Sequence, residues 1–390
     1  WDDYDNDGYI DVIITGLTTV GTYGQLVTRV YRNQRNGTFT DINAGFVGIK
    51  DGSTSWVDYD NDGDMDIFYI GNSYVNGTTP TTKLYRNDGN GYFCSVTTSL
   101  PNICSGSAAW EDYDSDGDKD VLIGGSNGTS YETKLFRNDG LGTFTDINEV
   151  FQAGNASQVG WCDFDNDGDM DAIVYAGYPI HGTIVYKNDN RSFDSELAQF
   201  PSTGDGNYSI ADYDSDGDMD LLCTGTIVGP NIAATTLYRN DNDDNPLPPT
   251  APTLSIDPQT GTFIFSGAMD DTTPVTGLTY NLRIGTTPGG CDVLSPMSDL
   301  QTGNRSIVKS GVQVPVYVEM PPGSPIFASA QAIDNSYSGS SFHDDIAFTS
   351  APLKILYPNG GQQLVSGSSS YIMWENNWVR KINLQLSTDN

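Results

Sequence analysis

The stretch Trp56-Val57-Asp58-Tyr59-Asp60-Asn61-Asp62-Gly63-Asp64-Met65-Asp66-Ile67-Phe68-Tyr69-Ile70-Gly71 decides what kind of chain this is. Its middle nine residues read D-x-D-x-D-G-x-x-D, with an aromatic residue before them and an unbroken apolar run after. The same pattern returns at Asp3–Asp11, Asp112–Asp120, Asp163–Asp171 and Asp212–Asp220. First aspartates fall at 3, 58, 112, 163 and 212, so the period is 49 to 55 residues. A period of that length marks a propeller or a solenoid, and the strands around the loop decide which.

A short strand signal precedes each loop, as in Ser53 to Val57 and Val159 to Cys162. Trp stands two residues before the first Asp at Trp1, Trp56, Trp110 and Trp161, and Ile210 takes that place in the fifth copy. These tryptophans are expected to pack between repeats. Runs such as Ile67 to Gly71 and Val121 to Gly124 follow the loop; their continuous apolar character predicts a strand covered on both faces. A third strand is expected at Val30–Asn33, Leu84–Asn87, Leu135–Asn138, Val185–Asn188 and Leu237–Asn240. A turn rich in Asn, Asp and Gly then leads to a fourth, as at Gly37 to Thr40 or Gly142 to Thr145. Four strands per unit of about 50 residues describe a propeller blade. The expected fold class is all-β: a partial propeller with five visible blades over residues 1–245, followed by a sandwich and the start of a second one.

The loop between two strands, with the turn Asn87-Asp88-Gly89-Asn90-Gly91-Tyr92-Phe93 after it, resembles the FG-GAP/VCBS repeat. That family includes the integrin α-subunit propeller and many secreted bacterial proteins. The resemblance covers residues 1 to about 245. It implies a calcium-binding β-propeller, and members of the family close with seven blades. The fifth copy runs from Asn240 into Asp241 to Asp244 with no fourth strand, so the missing strand and blades are expected upstream of Trp1.

Acidity follows the repeat. The 390 residues carry 51 acidic and 18 basic side chains, a formal net charge of −33. Twenty-four aspartates and only one base, Lys119, fall inside the five loops, so 45 residues hold −23 and the other 345 only −10. A surface this anionic repels nucleic-acid phosphates and anionic lipid, which excludes a basic-patch role on either. No apolar run approaches the roughly 18 to 20 residues of a membrane-spanning helix. The partners expected are therefore an unidentified protein or glycan, with no nucleic acid and no direct membrane insertion, in a chain continuous with further domains on both sides.

The loop spacing predicts an ion. Ca²⁺ takes six to eight oxygens at about 2.3 to 2.6 Å, and a short loop supplies them when alternate side chains turn inward around a sharp bend. Positions 1, 3, 5 and 9 offer carboxylates, and glycine at position 6 (Gly8, Gly63, Gly117, Gly168, Gly217) allows the bend. By analogy with the family, position 7 gives its backbone carbonyl. The candidate metal residues are Asp3, Asp5, Asp7, Tyr9 and Asp11 in the first loop and Asp58, Asp60, Asp62, Asp64 and Asp66 in the second. The third has Asp112, Asp114, Asp116, Asp118 and Asp120, the fourth Asp163, Asp165, Asp167, Asp169 and Asp171, and the fifth Asp212, Asp214, Asp216, Asp218 and Asp220. About five Ca²⁺, one per loop, are expected. An EF-hand would need Glu at position 12, where Ile14, Tyr69, Ile123, Val174 and Cys223 stand, and flanking helices. Zinc would want His or Cys.

The base at Arg32, Arg86, Arg137, Lys187 and Arg239 is expected to pair with a nearby carboxylate, and Met65, Met170 and Met219 to fill gaps beside the second strand. Cys94 and Cys104 leave a bridge open, whereas Cys162 and Cys223 read as buried thiols. Residues 246–252 form a Pro-rich linker. Strand signals at Gly261 to Phe265, Leu278 to Ile284, Val312 to Val318 and Ile326 to Ile333 predict a sandwich over 253–350, which resembles a fibronectin type III module. Tyr357-Pro358-Asn359-Gly360-Gly361 and Tyr371 to Trp374 resemble the opening of an Ig-like domain over 353–390.

Catalytic chemistry finds little to rest on. His181 and His343 are the two histidines, and neither belongs to a recognisable acid-base or metal motif. The leading expectation is an extracellular, secreted or surface-attached, bacterial binding or adhesion module stabilised by calcium. The alternative is an accessory or catalytic propeller of a secreted polysaccharide-processing enzyme, and a third reading is a surface stalk without ligand.

Overall fold

A computed structural model of the chain describes residues 1–349, with breaks at 8, 19–23, 90, 190, 201–202, 215, 228–231, 243–246, 258–260, 297, 306–310, 312–315 and 318–324, and then 354–357 and 373–375. Among the described residues every regular element is a strand, and all pairings between strands are antiparallel.

Five small sheets follow one another in chain order. The first holds β1 (Val12–Thr18), β2 (Gln25–Asn33) and β3 (Phe39–Asp41); the second holds β4 (Lys50–Val57), β5 (Asp66–Asn72), β6 (Pro80–Asn87) and β7 (Phe93–Val96). The third is β8 (Cys104–Glu111), β9 (Asp120–Ser126), β10 (Tyr131–Asn138) and β11 (Phe144–Asp146). The fourth is β12 (Gln158–Cys162), β13 (Asp171–Ala176), β14 (Gly182–Asp189) and β15 (Ser192–Phe200), and the fifth β16 (Thr203–Ala211), β17 (Asp220–Ile227) and β18 (Ile232–Tyr238). Each sheet is a simple meander, and in four of them a D-x-D-x-D-G-x-x-D loop joins the first two strands. This is a partial propeller-like fold; no closed barrel forms among the described residues.

The first strands of successive blades stand side by side and are stitched together. Ser53 Oγ accepts from Ala108 N at 3.2 Å, Ser107 Oγ from Val159 N at 2.8 Å, and Gln158 Oε1 from Tyr208 N at 3.4 Å. The second strands β5 and β13 are buried along their whole length, which is why they read as unbroken apolar runs.

Aromatic residues fill the wedge between blades. Tyr4, from the first loop, stacks on Trp56 of the second blade at 5.9 Å; Tyr113, from the third loop, stacks on Trp161 of the fourth at 6.2 Å. Phe93 and Phe193 close the respective clusters. Trp161 is buried and Trp56 and Trp110 half-buried, as expected of inter-blade packing. Trp1 departs from that expectation: it is 76% exposed and meets only the edge of Phe39 among aromatic rings. Met170 and Met219 are buried and Met65 packs at the edge of a core cluster, in the gap-filling role expected of them.

After residue 246 the pattern changes. The sheets β19 (Thr253–Ile256), β20 (Thr262–Ser266) with β22 (Val316–Tyr317), and β21 (Thr279–Gly285) with β23 (Pro325–Ile333) and β24 (Ile346–Thr349) share one core. Leu254 and Phe263 of the first sheet meet Leu282, Ile284, Ile326, Ala328 and Ala330 of the second. Most of the strand expected at Val312 to Val318 lies outside the described residues. A last pair, β25 (Lys354–Tyr357) and β26 (Met373–Glu375), is antiparallel; the rest of the unit expected at 353–390 lies outside the described residues.

Truncating the buried wedge should cost far more than truncating the exposed tryptophan. Trp161→Ala is expected to lower unfolding free energy by about 3–5 kcal/mol, and Trp1→Ala to change it by less than about 0.5 kcal/mol, both read from denaturant unfolding of the full chain.

Candidate metal centre

Each loop is folded by its own aspartates. The position 1 carboxylate accepts the backbone N–H of position 5: Asp62 to Asp58 at 3.1 Å, Asp116 to Asp112 at 3.0 Å, Asp167 to Asp163 at 3.1 Å. It also accepts the position 6 N–H, as from Gly63, Gly117 and Gly168, at 2.9 to 3.0 Å. Position 5 in turn accepts from position 7, as Asp64 N to Asp62 at 2.9 Å. This tight winding holds position 6 at φ between 88° and 99° in Gly63, Gly117, Gly168 and Gly217, a conformation that glycine adopts without strain. Gly8 lies outside the described residues.

The winding brings carboxylates together. Oxygens of Asp3, Asp5 and Asp11 lie within 4.8 Å of one another, and so do those of Asp112, Asp114 and Asp120, of Asp163, Asp165 and Asp171, and of Asp212, Asp214 and Asp220. These are positions 1, 3 and 9. In the second loop Asp58, Asp60 and Asp62 converge instead, at positions 1, 3 and 5. Position 7 side chains point elsewhere: Asp64, Asp118 and Asp218 each accept the amide of an asparagine from the preceding loop at 2.6 to 2.8 Å. Tyr9 lies under the Arg35 guanidinium, 4.9 Å from its ring centre.

Position 9 is the most buried carboxylate of each loop. Asp11, Asp66, Asp120 and Asp171 have no exposed surface. Loss of water pushes their carboxyls up, to about 7 in Asp11, about 9 in Asp66 and Asp120 and about 8 in Asp171, against the pull of backbone N–H donors. Asp58 at position 1 is raised to about 7 for the same reason.

The donor that holds position 9 is an asparagine at the end of the third strand. Asn33, Asn87, Asn138, Asn188 and Asn240 give their backbone N–H to Asp11, Asp66, Asp120, Asp171 and Asp220 at 2.7 to 2.8 Å. Their side-chain amides reach the previous blade: Asn87 to Tyr4 O, Asn138 to Tyr59 O, Asn188 to Tyr113 O and Asn240 to Phe164 O, all at 2.8 Å. One residue therefore fixes the loop's deepest acid and clamps it to its neighbour. The sequence carried a signal for this residue, its recurrence in all five copies beside the base.

The bases do not all do the same thing. Arg32 bridges Asp5 and Asp7 at 2.7 and 2.8 Å, Arg239 bridges Asp214 and Asp216 at 2.9 Å, and Lys187 bridges Asp165 and Asp167. Arg86 and Arg137 turn away to Asp88 and Asp139 of the following turn, both at 2.7 Å. Structural ion pairing is what the sequence led one to expect, but in two copies the partner is the turn rather than the loop.

Three further observations bear on a cation. Asp60 Oδ1, Asp114 Oδ1, Asp165 Oδ1 and Asp120 Oδ2 are buried and accept no hydrogen bond. Such oxygens are costly unless a positive charge meets them. The donor set is all oxygen, which suits a hard divalent ion and not zinc. No helix flanks any loop among the described residues, so the geometry is not that of an EF-hand. The residues present thus fit a bound divalent cation, held by positions 1, 3 and 9 with a further carboxylate from position 5.

Between the first strands of blades three to five lies a cleft of about 370 Å³, lined by Ser107, Gln158, Trp161, Asn207, Tyr208 and Tyr337 among others; its described lining contains no Asp, Glu, His, Cys or Lys. All five cysteines are thiols, with Cys94 exposed and Cys104 buried, so the bridge left open between them is not made.

Comparison with known proteins agrees with the repeat. Residues 3–69, 58–123 and 112–174 match the family described as FG-GAP-like repeat. The chain thus carries three FG-GAP-like repeats in a β-propeller-like domain, and the fifth loop, Asp212–Asp220, repeats the same geometry beyond the matched region. No curated protein matches the sequence significantly. Among solved structures, a fungal alcohol oxidase of the AA5 family in complex with copper aligns over 84% of this chain and 71% of its own, at 9% identity and TM-score 0.38. A chain of RAG in complex with one melted and one unmelted RSS aligns over 79% of this chain and 87% of its own, at 11% identity and TM-score 0.33.

Raised carboxyls give a signed pH dependence. Without a cation, the folded state keeps protons on Asp11, Asp66, Asp120 and Asp171 that the unfolded chain releases near the ordinary carboxyl value of 3.8, so stability falls as pH rises from there up to about 7 to 9. Melting temperature in chelator is expected to drop steadily from pH 5 to pH 9; a flat or rising profile would contradict the burial of these acids.

Proposed function

We propose that the chain is a calcium-stabilised extracellular binding or adhesion module, in which the propeller presents its connecting loops to a protein or a glycan. The observation that carries this reading is the convergence of three aspartates on one point in each of the five loops, at positions 1, 3 and 9 in four and 1, 3 and 5 in the second, with buried carboxylate oxygens that lack any hydrogen-bond donor. When bound, the ion supplies charge neutralisation and ties the loop's ends together. Asp3, Asp5 and Asp11, and their counterparts in the other loops, would hold it. Every other part of the clamp belongs to the chain: the position 1 acid winds the loop, and the asparagine of the third strand carries the tie to the neighbouring blade.

Several facts support the extracellular side of this reading. FG-GAP-like repeats are typical of extracellular proteins, and no helix among the described residues is long and apolar enough to cross a membrane. Calcium outside cells would saturate even sites with Kd on the order of 10⁻⁴ to 10⁻³ M. The cleft beside the first strands offers hydroxyl, amide and aromatic groups and no carboxylate pair, which favours binding over glycoside cleavage there. The two-sheet unit after residue 246 is read as a fibronectin type III-like spacer, and the strand pair beyond it as the start of an Ig-like unit.

Isothermal calorimetry on chelator-stripped protein is expected to find close to five Ca²⁺ per chain, with a rise in melting temperature as they bind. Mg²⁺ at equal concentration should stabilise less, because it demands a smaller octahedral site. Heat traces without calcium uptake would remove the reading.

A further inference from the structure

The loops are chained to one another by asparagine at position 4. Asn6 reaches Gly63 O at 3.3 Å and Asp64 at 2.8 Å, Asn61 reaches Gly117 O at 3.0 Å and Asp118 at 2.7 Å, and Asn166 reaches Asp218 at 2.6 Å. The link from the third loop to the fourth is different, because Ser115 stands at position 4 with the same left-handed backbone, φ 55°. A serine hydroxyl ends one bond short of an asparagine amide. The donor on Gly168 O is instead Asn335, at 2.7 Å, from a turn between β23 and β24, 167 residues further along the chain.

This contact is built rather than grazing. Asp334, Asn335, Ser336 and Tyr337 are all buried. Asp334 Oδ1 accepts from Ser336 Oγ at 2.8 Å and Ser338 N at 2.7 Å, so the turn is held from within, and Asn335 N donates to Thr273 Oγ1 at 3.1 Å. Tyr337, at φ 60°, is carried into the core of the fourth blade, where its hydroxyl donates to Trp161 O at 3.3 Å. A Cβ on Gly168 would stand 2.2 Å from Thr272 O, so the segment 270–277 of the second module rests directly on the bend of the fourth loop. A Cβ on Gly277 would stand 2.9 Å from Ser115 Oγ, so the small residue of the third loop is also what makes room for this segment.

We propose that the 270–277 and 334–340 segments form a latch that docks the second module on the fourth loop, with Asn335 replacing the asparagine missing from the third, and that its closure is linked to the divalent ion of the fourth loop. The linkage rests on the calcium reading above. Gly168 N is held by Asp163, whose oxygen lies within 4.8 Å of those of Asp165 and Asp171. An ion that draws these three acids together fixes the Gly168 carbonyl where Asn335 meets it; their mutual repulsion without the ion moves it. Linkage is reciprocal, so the docked module tightens the fourth site in turn.

Small-angle scattering of the full chain in calcium, with the ion count measured on the same samples, tests this by position. Asn335→Ala and Asp163→Asn are each expected to raise the radius of gyration and speed proteolysis within residues 246–252, whereas Asp58→Asn, the matched change in the second loop, should lose one ion and stay compact. Calorimetry of Asn335→Ala, which leaves every loop carboxylate in place, should show one ion weakened roughly tenfold and the others unchanged; this readout stands even where Asp163→Asn fails to fold. Compact Asn335→Ala with all ions unchanged would overturn the latch and leave the calcium reading intact. Opening in Asn335→Ala but not in folded Asp163→Asn, or equal opening in Asp58→Asn, would overturn its link to the fourth site. Wild-type protein that takes up no calcium would overturn the linkage together with the calcium reading.

Discussion

Everything in the first 240 residues depends on a carboxylate that has no contact with water. The ninth residue of each loop stands at the start of the strand that follows the loop, is buried there, and carries a charge that a low-dielectric interior resists. Two forces answer that cost. Backbone N–H groups from the third strand and, in four loops, from position 2 of the loop point at its oxygens. The remaining demand is for positive charge, and in every loop but the second the chain brings the acids of positions 1 and 3 to the same point. A fold that concentrates like charges where water is excluded makes sense when a cation is part of it.

That constraint also explains how blades hold together. The asparagine that holds the buried acid uses its side chain on the previous blade, and the aromatic residue whose carbonyl it meets stacks, in Tyr4 and Tyr113, on the tryptophan of the next one. Loop geometry, blade spacing and aromatic packing are thus one cooperative unit. In the first, fourth and fifth loops a base spans positions 3 and 5, so part of the repulsion is answered from within the chain. In the second and third loops that base pairs with the following turn, and in the third Arg191 lies 3.6 Å from Asp114 instead.

The repeat, the four-strand blade, the turn glycines and the converging aspartates were all legible in sequence, because each is a local pattern with a local cause. Spacing of two between Asp58, Asp60 and Asp62 turns alternate side chains inward, and Ile67 to Ile70 read as a doubly covered strand. The role of Asn87 and Asn138 was less visible: recurrence marked them, but their partners are carbonyls roughly 80 residues away, a distance no local pattern encodes. Trp1 shared the signature of Trp161 yet lacks its surroundings. Ser115 and Asn335 could not be paired from sequence at all, since the substitution in one loop and the donor that answers it belong to different modules.

The most direct test of the central claim is an anomalous-scattering experiment on crystals grown in calcium or a lanthanide substitute. The account predicts five ion peaks, one per loop, each within about 2.3 to 2.6 Å of inward-facing aspartate oxygens, at positions 1, 3 and 9 and, in the second loop, at Asp58, Asp60 and Asp62. Crystals whose loops keep this shape with no peak among those oxygens, or with ions only on exposed acids elsewhere, would contradict it.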